Sequence, residues 1–62
     1  MIQLELTENE AVTLANVLDY YVSELRMEIA DTEEKRMRDE LKIEEDVLKE
    51  IAQTLRERLA NA

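Results

Sequence analysis

Two stripes of apolar residues with helical spacing run along this chain, separated by a short acidic stretch near its middle. The first stripe follows Thr7 and continues to Ile29, and the second follows Asp31 or Thr32 and continues to Leu59. Apolar residues repeating every three to four positions lie on one face of an amphipathic helix. No glycine or proline interrupts either stripe. We therefore predict helices over about residues 8–30 and about residues 33–59.

Capping signals mark the start of both predicted helices. Thr7 and Glu10 have the spacing of a capping box, in which a hydroxyl and a carboxylate bind the first free backbone amides. Asp31 and Glu34 repeat that spacing at the second helix. Because no glycine forces a break there, one bent helix of about 50 residues is the structural alternative. Before the first cap, apolar and polar residues alternate over 1–6, which predicts a short extended segment.

The two helices are expected to fold back near residue 31 into an antiparallel hairpin, a single all-α domain covering residues 1–62. In this hairpin, two residues lie opposite each other when their numbers sum to about 62. Leu55 and Leu59 then extend beyond the first helix, where the extended segment with Ile2, Leu4 and Leu6 is placed to cover them.

Two helices alone cannot enclose a core, and a chain of 62 residues is in the size range that needs additional stabilisation. Small proteins obtain it from disulfides, metals or oligomerisation. Cysteine and histidine are both absent, which removes disulfides and the commonest metal ligands. The sequence therefore predicts a homo-oligomer, with a dimeric four-helix bundle favoured over a tetramer.

The predicted self-association interface combines the apolar arcs of both helices. In the second helix three leucines stand seven residues apart, which is typical of bundle packing. The interface residues are Leu14, Leu18, Tyr21, Val22, Leu25, Met37, Leu41, Glu44, Leu48, Ile51, Leu55 and Leu59.

Two charged residues lack a partner on their own helix. Glu44 lies within the apolar arc, either at the rim of the oligomer seam or in a buried polar contact that fixes register. The Tyr21 hydroxyl or a basic side chain of a second copy would supply that contact. Arg26 is the only cation of the first helix, and we expect it to pair with the acidic residues of 31–34.

The excess of acidic over basic residues limits the classes of molecule that this protein is expected to bind. The net charge is −8, from 16 acidic and eight basic residues, and Trp and Phe are absent. Nucleic-acid phosphates and anionic lipids would be repelled, and no apolar run is long enough to span a membrane. We expect a cytoplasmic protein with no nucleic-acid or membrane partner.

Catalysis and cofactor binding are not expected. A Ser or Thr nucleophile would lack a histidine base, and the Glu-x-x-His pair of di-iron bundles is impossible without histidine. Glu40, Glu44 and Asp46 offer oxygen ligands, but the Asp/Gly-rich loop of calcium sites is missing. We predict no catalytic residue, no metal site and no cofactor.

One further surface is a candidate for binding a different protein. Tyr20 and Met27 stand seven residues apart on the side opposite the apolar stripe, and Val12 with Ala30 extends the set. Isolated exposed apolar residues are also normal on monomers and need no function.

Several stretches resemble a group of small bacterial proteins of unknown function that carry an E-I-A-D-T stretch at mid-chain. They are Leu6-Thr7 with Glu10-Ala11, the run from Leu25 to Thr32, and the segment from Arg38 to Leu48. The resemblance implies a small helical protein and assigns no activity. The Ser-Gln-Glu-Leu-Asp signature of the small helical-hairpin phosphatases of sporulation signalling is absent, so that activity is not carried over.

From these features we expect a self-associating helical hairpin that serves as a structural or protein-interaction module. The alternative is an acidic regulator that binds a basic protein, in the manner of an antitoxin or of a nucleic-acid mimic.

Overall fold

The protein is a pair of packed helices joined by a three-residue turn. The computed structural model describes residues 1–61, with α1 at Glu8–Asp31 and α2 at Lys35–Ala60 and no strand in that range. Cross-helix pairs join Arg26 to Glu45 and Asp19 to Arg56, so the two helices run antiparallel. The prediction of an all-α fold of two packed helices is confirmed. Residues 32–34 are not helical, so the alternative of one bent helix is wrong.

The first helix begins with the expected capping box. The Thr7 hydroxyl accepts a hydrogen bond from the backbone amide of Glu10 at 3.1 Å, and the Glu10 carboxylate accepts one from the Thr7 amide at 2.9 Å. These bonds satisfy two amides that the helix itself leaves free. The hydrogen bond from the Thr7 backbone lowers the pKa of Glu10 below its ordinary value of 4.5. The hydrogen bond with the Thr7 side chain lowers this pKa by a smaller amount.

The second capping box is not formed, and that prediction was wrong. Asp31 is the last residue of α1, and Glu34 stands at the cap of α2 without a capping hydrogen bond from its side chain. The Thr32 hydroxyl instead donates to the Glu28 carbonyl at 2.6 Å, and Arg38 donates to the Thr32 carbonyl at 3.0 Å. Since Asp31 belongs to α1, its carboxylate is not placed at the start of α2.

A narrow seam between the helices forms the core. Leu25 is 1% exposed and Ala52 is 2% exposed, and small residues on both helices let the backbones approach closely. The buried residues are Ala11, Ala15, Val22, Leu25 and Ala52. No polar side chain among residues 1–61 is buried, so the seam is entirely apolar.

The register of the hairpin differs from the one expected. Residues joined across the seam have numbers that sum to 65, 71 and 75 rather than 62. The turn is centred on residue 33 instead of 31. In addition, side chains lean towards the N-terminus of their own helix, so the residue numbers of two side chains that touch across an antiparallel pair have a larger sum. As a result α2 does not overhang α1, and Leu55 and Leu59 are half-buried.

The N-terminal segment does not form the expected cover. Residues 1–7 have no regular secondary structure. Ile2 is 97% exposed and Leu4 is 70% exposed, while Leu6 is half-buried. The expectation that Ile2 and Leu4 lie over the end of α2 was therefore wrong, because the matched helix ends leave no overhang for them to cover.

Candidate interaction surface

The hairpin has two broad faces, one on each side of the seam. Two ion pairs join the helices across the first of these faces. Arg26 Nε lies 3.0 Å from Glu45 Oε2, and the Arg56 guanidinium pairs with the Asp19 carboxylate. We call this the ion-paired face, defined by these four residues. An open groove runs along it, and its lining includes the polar side chains of Ser23, Lys49 and Gln53 as well as the apolar Val22 and Ala52.

Arg26 does not pair with the acidic residues of 31–34, so that prediction was wrong. Arg26 pairs with Glu45 on α2 and not with an acidic residue of the turn. Arg26 lies more than one helical turn before the end of α1, and its wheel position directs it across the seam. The Glu45 side chain is only 15% exposed, so this pair is partly shielded from water.

The opposite face carries the apolar residues that the seam does not use. With about 100° of rotation per residue, one set of side chains projects to the side of the seam away from the ion pairs. Five of them are about half exposed: Val17 at 56%, Met37 at 51%, Val47 at 49%, and Tyr21 and Ile51 at 44% each. We call this the apolar face, and its members are Leu14, Val17, Leu18, Tyr21, Met37, Leu41, Glu44, Val47, Leu48, Ile51 and Leu55.

One polar pair stands near the middle of the apolar face. The Tyr21 hydroxyl donates a hydrogen bond to Glu44 Oε1 across the seam, at 3.2 Å. The expected contact between these residues is therefore present, but both are exposed within one chain, and the burial suggested for it is not found. The hydrogen bond to the Glu44 carboxylate and then its negative charge raise the pKa of Tyr21 above 10.0, with a smaller contribution from Glu28.

Most of the predicted self-association residues lie together. Ten of the twelve are on the apolar face or along its border with the seam. Val22 and Leu25 are 6% and 1% exposed and lie between the helices, so they present almost no surface to a second chain. Sequence reasoning left Val17 and Val47 out of the interface, although both stand at the margins of the apolar arcs and are well exposed.

The candidate heterologous patch is exposed but not continuous. Val12 is 43% exposed, Tyr20 70% and Met27 64%. Tyr20 and Met27 are two helical turns apart on the outer side of α1, and the intervening positions at helical spacing include Ser23 and Glu24. Polar neighbours therefore divide this set into single apolar residues.

Neither a cluster of metal-binding side chains nor a membrane-spanning helix is found among residues 1–61. No group of three or more acidic side chains within residues 1–61 could hold a metal ion. No helix in that range is both long and apolar enough to cross a membrane. Five exposed large apolar side chains, Val17, Tyr21, Met37, Val47 and Ile51, lie on the apolar face, and we therefore take this face as the candidate interaction surface.

No family model, curated protein or solved structure matches this chain. The resemblance to small bacterial helical proteins accordingly stays a prediction.

Proposed function

We propose that this protein is a self-associating helical hairpin whose apolar face binds a second copy. The product is a dimeric four-helix bundle that acts as a structural or protein-interaction module. The observation that carries the proposal is the difference between the two faces. Cross-helix ion pairs complete one face within a single chain, whereas the other leaves residues such as Val47 and Ile51 in contact with water. A continuous apolar surface of this kind is typical of an interface.

The exposed area supports the same proposal. The chain exposes 5401 Å², whereas a compact monomer of 7.3 kDa is expected to expose about 4,200 Å². Residues 1–7, which are mostly exposed, and the elongated shape of the hairpin, 42 × 24 × 14 Å, contribute to the difference together with the uncovered face. The excess of about 1,200 Å² is comparable to the roughly 800 Å² that each partner buries in a standard interface. A second copy would hide the amount of surface that a single chain leaves open.

A second copy also suits the chemistry of the face. Its residues are aliphatic apart from Met37, Tyr21 and Glu44, and the two helices are nearly equal in length, at 24 and 26 residues. Two such hairpins packed face to face form a bundle in which every helix has two antiparallel neighbours.

Thermal unfolding followed by circular dichroism at several protein concentrations tests this proposal. Because association stabilises only the folded chain, the Tm is expected to rise with protein concentration. A cooperative transition with the same Tm over a hundredfold range of concentration would contradict self-association.

A second candidate function is the acidic regulator that binds a basic protein. Fifteen of the 16 acidic side chains are exposed, and three of the cations are engaged in ion pairs with them. This leaves a strongly negative surface that a basic partner would complement. A chain that is poorly ordered alone and gains helix when a lysine- and arginine-rich helical peptide is added would favour this function over the homodimer.

A further inference from the structure

We infer that the segment before α1 crosses onto the second copy and covers one end of the bundle core. We call residues 1–6 the arm. This inference rests on the proposed homodimer and adds a second element to its interface. The arm carries three of the four most exposed large apolar side chains among residues 1–61, which are Met1, Ile2 and Leu4. Its apolar residues therefore have no cover in a single chain.

The arm turns away from the helix axis at the open end of the hairpin, which is the end opposite the turn. The longest dimension of the chain is 42 Å, and α2 alone, with 26 residues, accounts for about 39 Å of it. An extended segment of six residues would add about 20 Å if it prolonged α1. The arm therefore runs beside or across the open end, within reach of a neighbouring helix.

Leu6 fixes which side of the arm faces the helices. It directly precedes the Thr7 cap and is half-buried, and Ala11, four residues after the cap, is buried in the seam. Apolar residues at these two positions pack against each other at the start of many helices. The arm thus leaves the hairpin with its Leu6 side directed towards the seam.

Alternation gives the arm one apolar and one polar side. In an extended segment, successive side chains project to opposite sides. Ile2 and Leu4 therefore lie on the side of Leu6, and Gln3 and Glu5 lie on the other. A segment of this pattern can cover an apolar surface while its polar side chains stay in water.

A second copy supplies a surface that the single chain does not. Ile2 and Leu4 are exposed in one chain, so its own helices do not cover them. In the proposed bundle, the apolar faces of two copies enclose a core that is open at both ends. Neighbouring helices of a bundle lie about 8–10 Å apart. Leu4 and Ile2 stand about 7 and 13 Å from Leu6 along the arm, so they reach the helices of the second copy.

Either relative orientation of the two hairpins places apolar side chains within reach of the arm. The open end of a second copy carries Leu55 and Leu59, which are half-buried in a single chain. Its turn end carries the half-buried Leu41 and the exposed Met37. Contact with either end removes apolar surface of the arm and of the core from water together. The dimer, and not the single hairpin, therefore orders the arm.

Contacts between isotope-labelled and unlabelled chains test this inference directly. In mixed dimers, filtered nuclear Overhauser spectra report only protons that are close to each other in different chains. We expect such signals from the methyl groups of Ile2 and Leu4 to leucine or methionine side chains of the second copy. Arm methyl groups that give no signal between chains in a sample shown to be dimeric would overturn the inference.

Two matched double variants measure the contribution of the arm to association. Ile2→Ser with Leu4→Ser removes the apolar side, and we expect the Kd of the dimer to rise about tenfold or more, because each copy loses two covered side chains. Gln3→Ser with Glu5→Gln alters the polar side and should change the Kd less than about twofold. All four residues are exposed in a single chain, so neither variant should lower the Tm of the monomer.

The outcomes separate this inference from the proposed function. A dimer with signals between chains from the arm, weakened by the serine changes at Ile2 and Leu4, supports the crossing arm. A dimer without those signals, or with a Kd unchanged by the serine changes, overturns the crossing arm and leaves the homodimer in place. A monomer at every concentration overturns both.

Discussion

The two faces of this hairpin share the same helices and the same seam, yet only one is complete in a single chain. On the ion-paired face, Arg26–Glu45 and Asp19–Arg56 join the helices across an open groove. On the apolar face, one hydrogen bond between Tyr21 and Glu44 crosses a surface of half-exposed aliphatic residues.

The difference follows from the width of the apolar arcs. In α1 the arc covers roughly 160° of the helical wheel, whereas contact with a single neighbouring helix uses only part of it. The arc is also off-centre with respect to the seam, so the unused part falls entirely on one side. A helix with a wider apolar arc than one neighbour can cover needs a second neighbour.

The largest expected effect comes from placing a charge on the apolar face. Ile51→Glu would bury a carboxylate in the proposed interface and should raise the Kd of the dimer about a hundredfold or more, since an unpaired buried charge costs several kcal/mol. Met27→Glu, an equally drastic change at a 64% exposed position on the outer side of α1, is the control. Sedimentation velocity would measure both. Equal effects of the two changes would contradict the assignment of the faces.

Glu44→Leu makes the apolar face wholly apolar and tests the role of the central pair. We expect a higher Tm, because a carboxylate is removed from the interface, together with more than one oligomeric state, because the polar contact no longer selects a single one. Sedimentation velocity measures the distribution of oligomers. A higher Tm with a single unchanged oligomeric state would show that Glu44 does not fix that state.

Removing an ion pair from the other face should have a small effect. Asp19→Asn is expected to lower the free energy of unfolding by no more than about 1 kcal/mol, since half-exposed pairs contribute little, and to leave the Kd of the dimer unchanged. Chemical denaturation and sedimentation measure the two quantities. A tenfold change in the Kd would place this face in the interface.

Alkaline pH should affect the two faces differently. The pKa of Tyr21 is raised in the folded chain, so its contribution to stability is present below pH 10.0 and is lost as the pH rises through the higher folded value. None of the four residues that define the ion-paired face is a tyrosine. Tyr21→Phe removes this contribution, so the difference in Tm between the wild type and this variant should shrink above about pH 10. A Tm difference that stays constant above about pH 10 would contradict a stabilising contribution from the hydrogen bond between Tyr21 and Glu44.

The sequence predicted the parts of the fold that depend on local pattern. Apolar spacing indicated two helices, and the Thr7–Glu10 spacing indicated the capping box, because both interactions lie within four residues along the chain. Glu44 was singled out by its position within an apolar arc, and its contact with Tyr21 follows from that placement.

The features that depend on the turn were not predictable in the same way. Asp31 and Thr32 both have the side chains of helix caps, and the sequence does not show that Thr32 would bind backwards to Glu28 and extend α1. A shift of two residues in the turn changes every cross-helix pair. The expected coverage of Leu55 was wrong for that reason, whereas the partner of Arg26 follows from its position on the helical wheel.

Sedimentation equilibrium of the unmodified chain at micromolar to millimolar concentration tests the central claim most directly. The account predicts a species with twice the 7.3 kDa mass of one chain, in equilibrium with monomer only at the lowest concentrations. A single species of 7.3 kDa throughout, with intact helical signal, would contradict it.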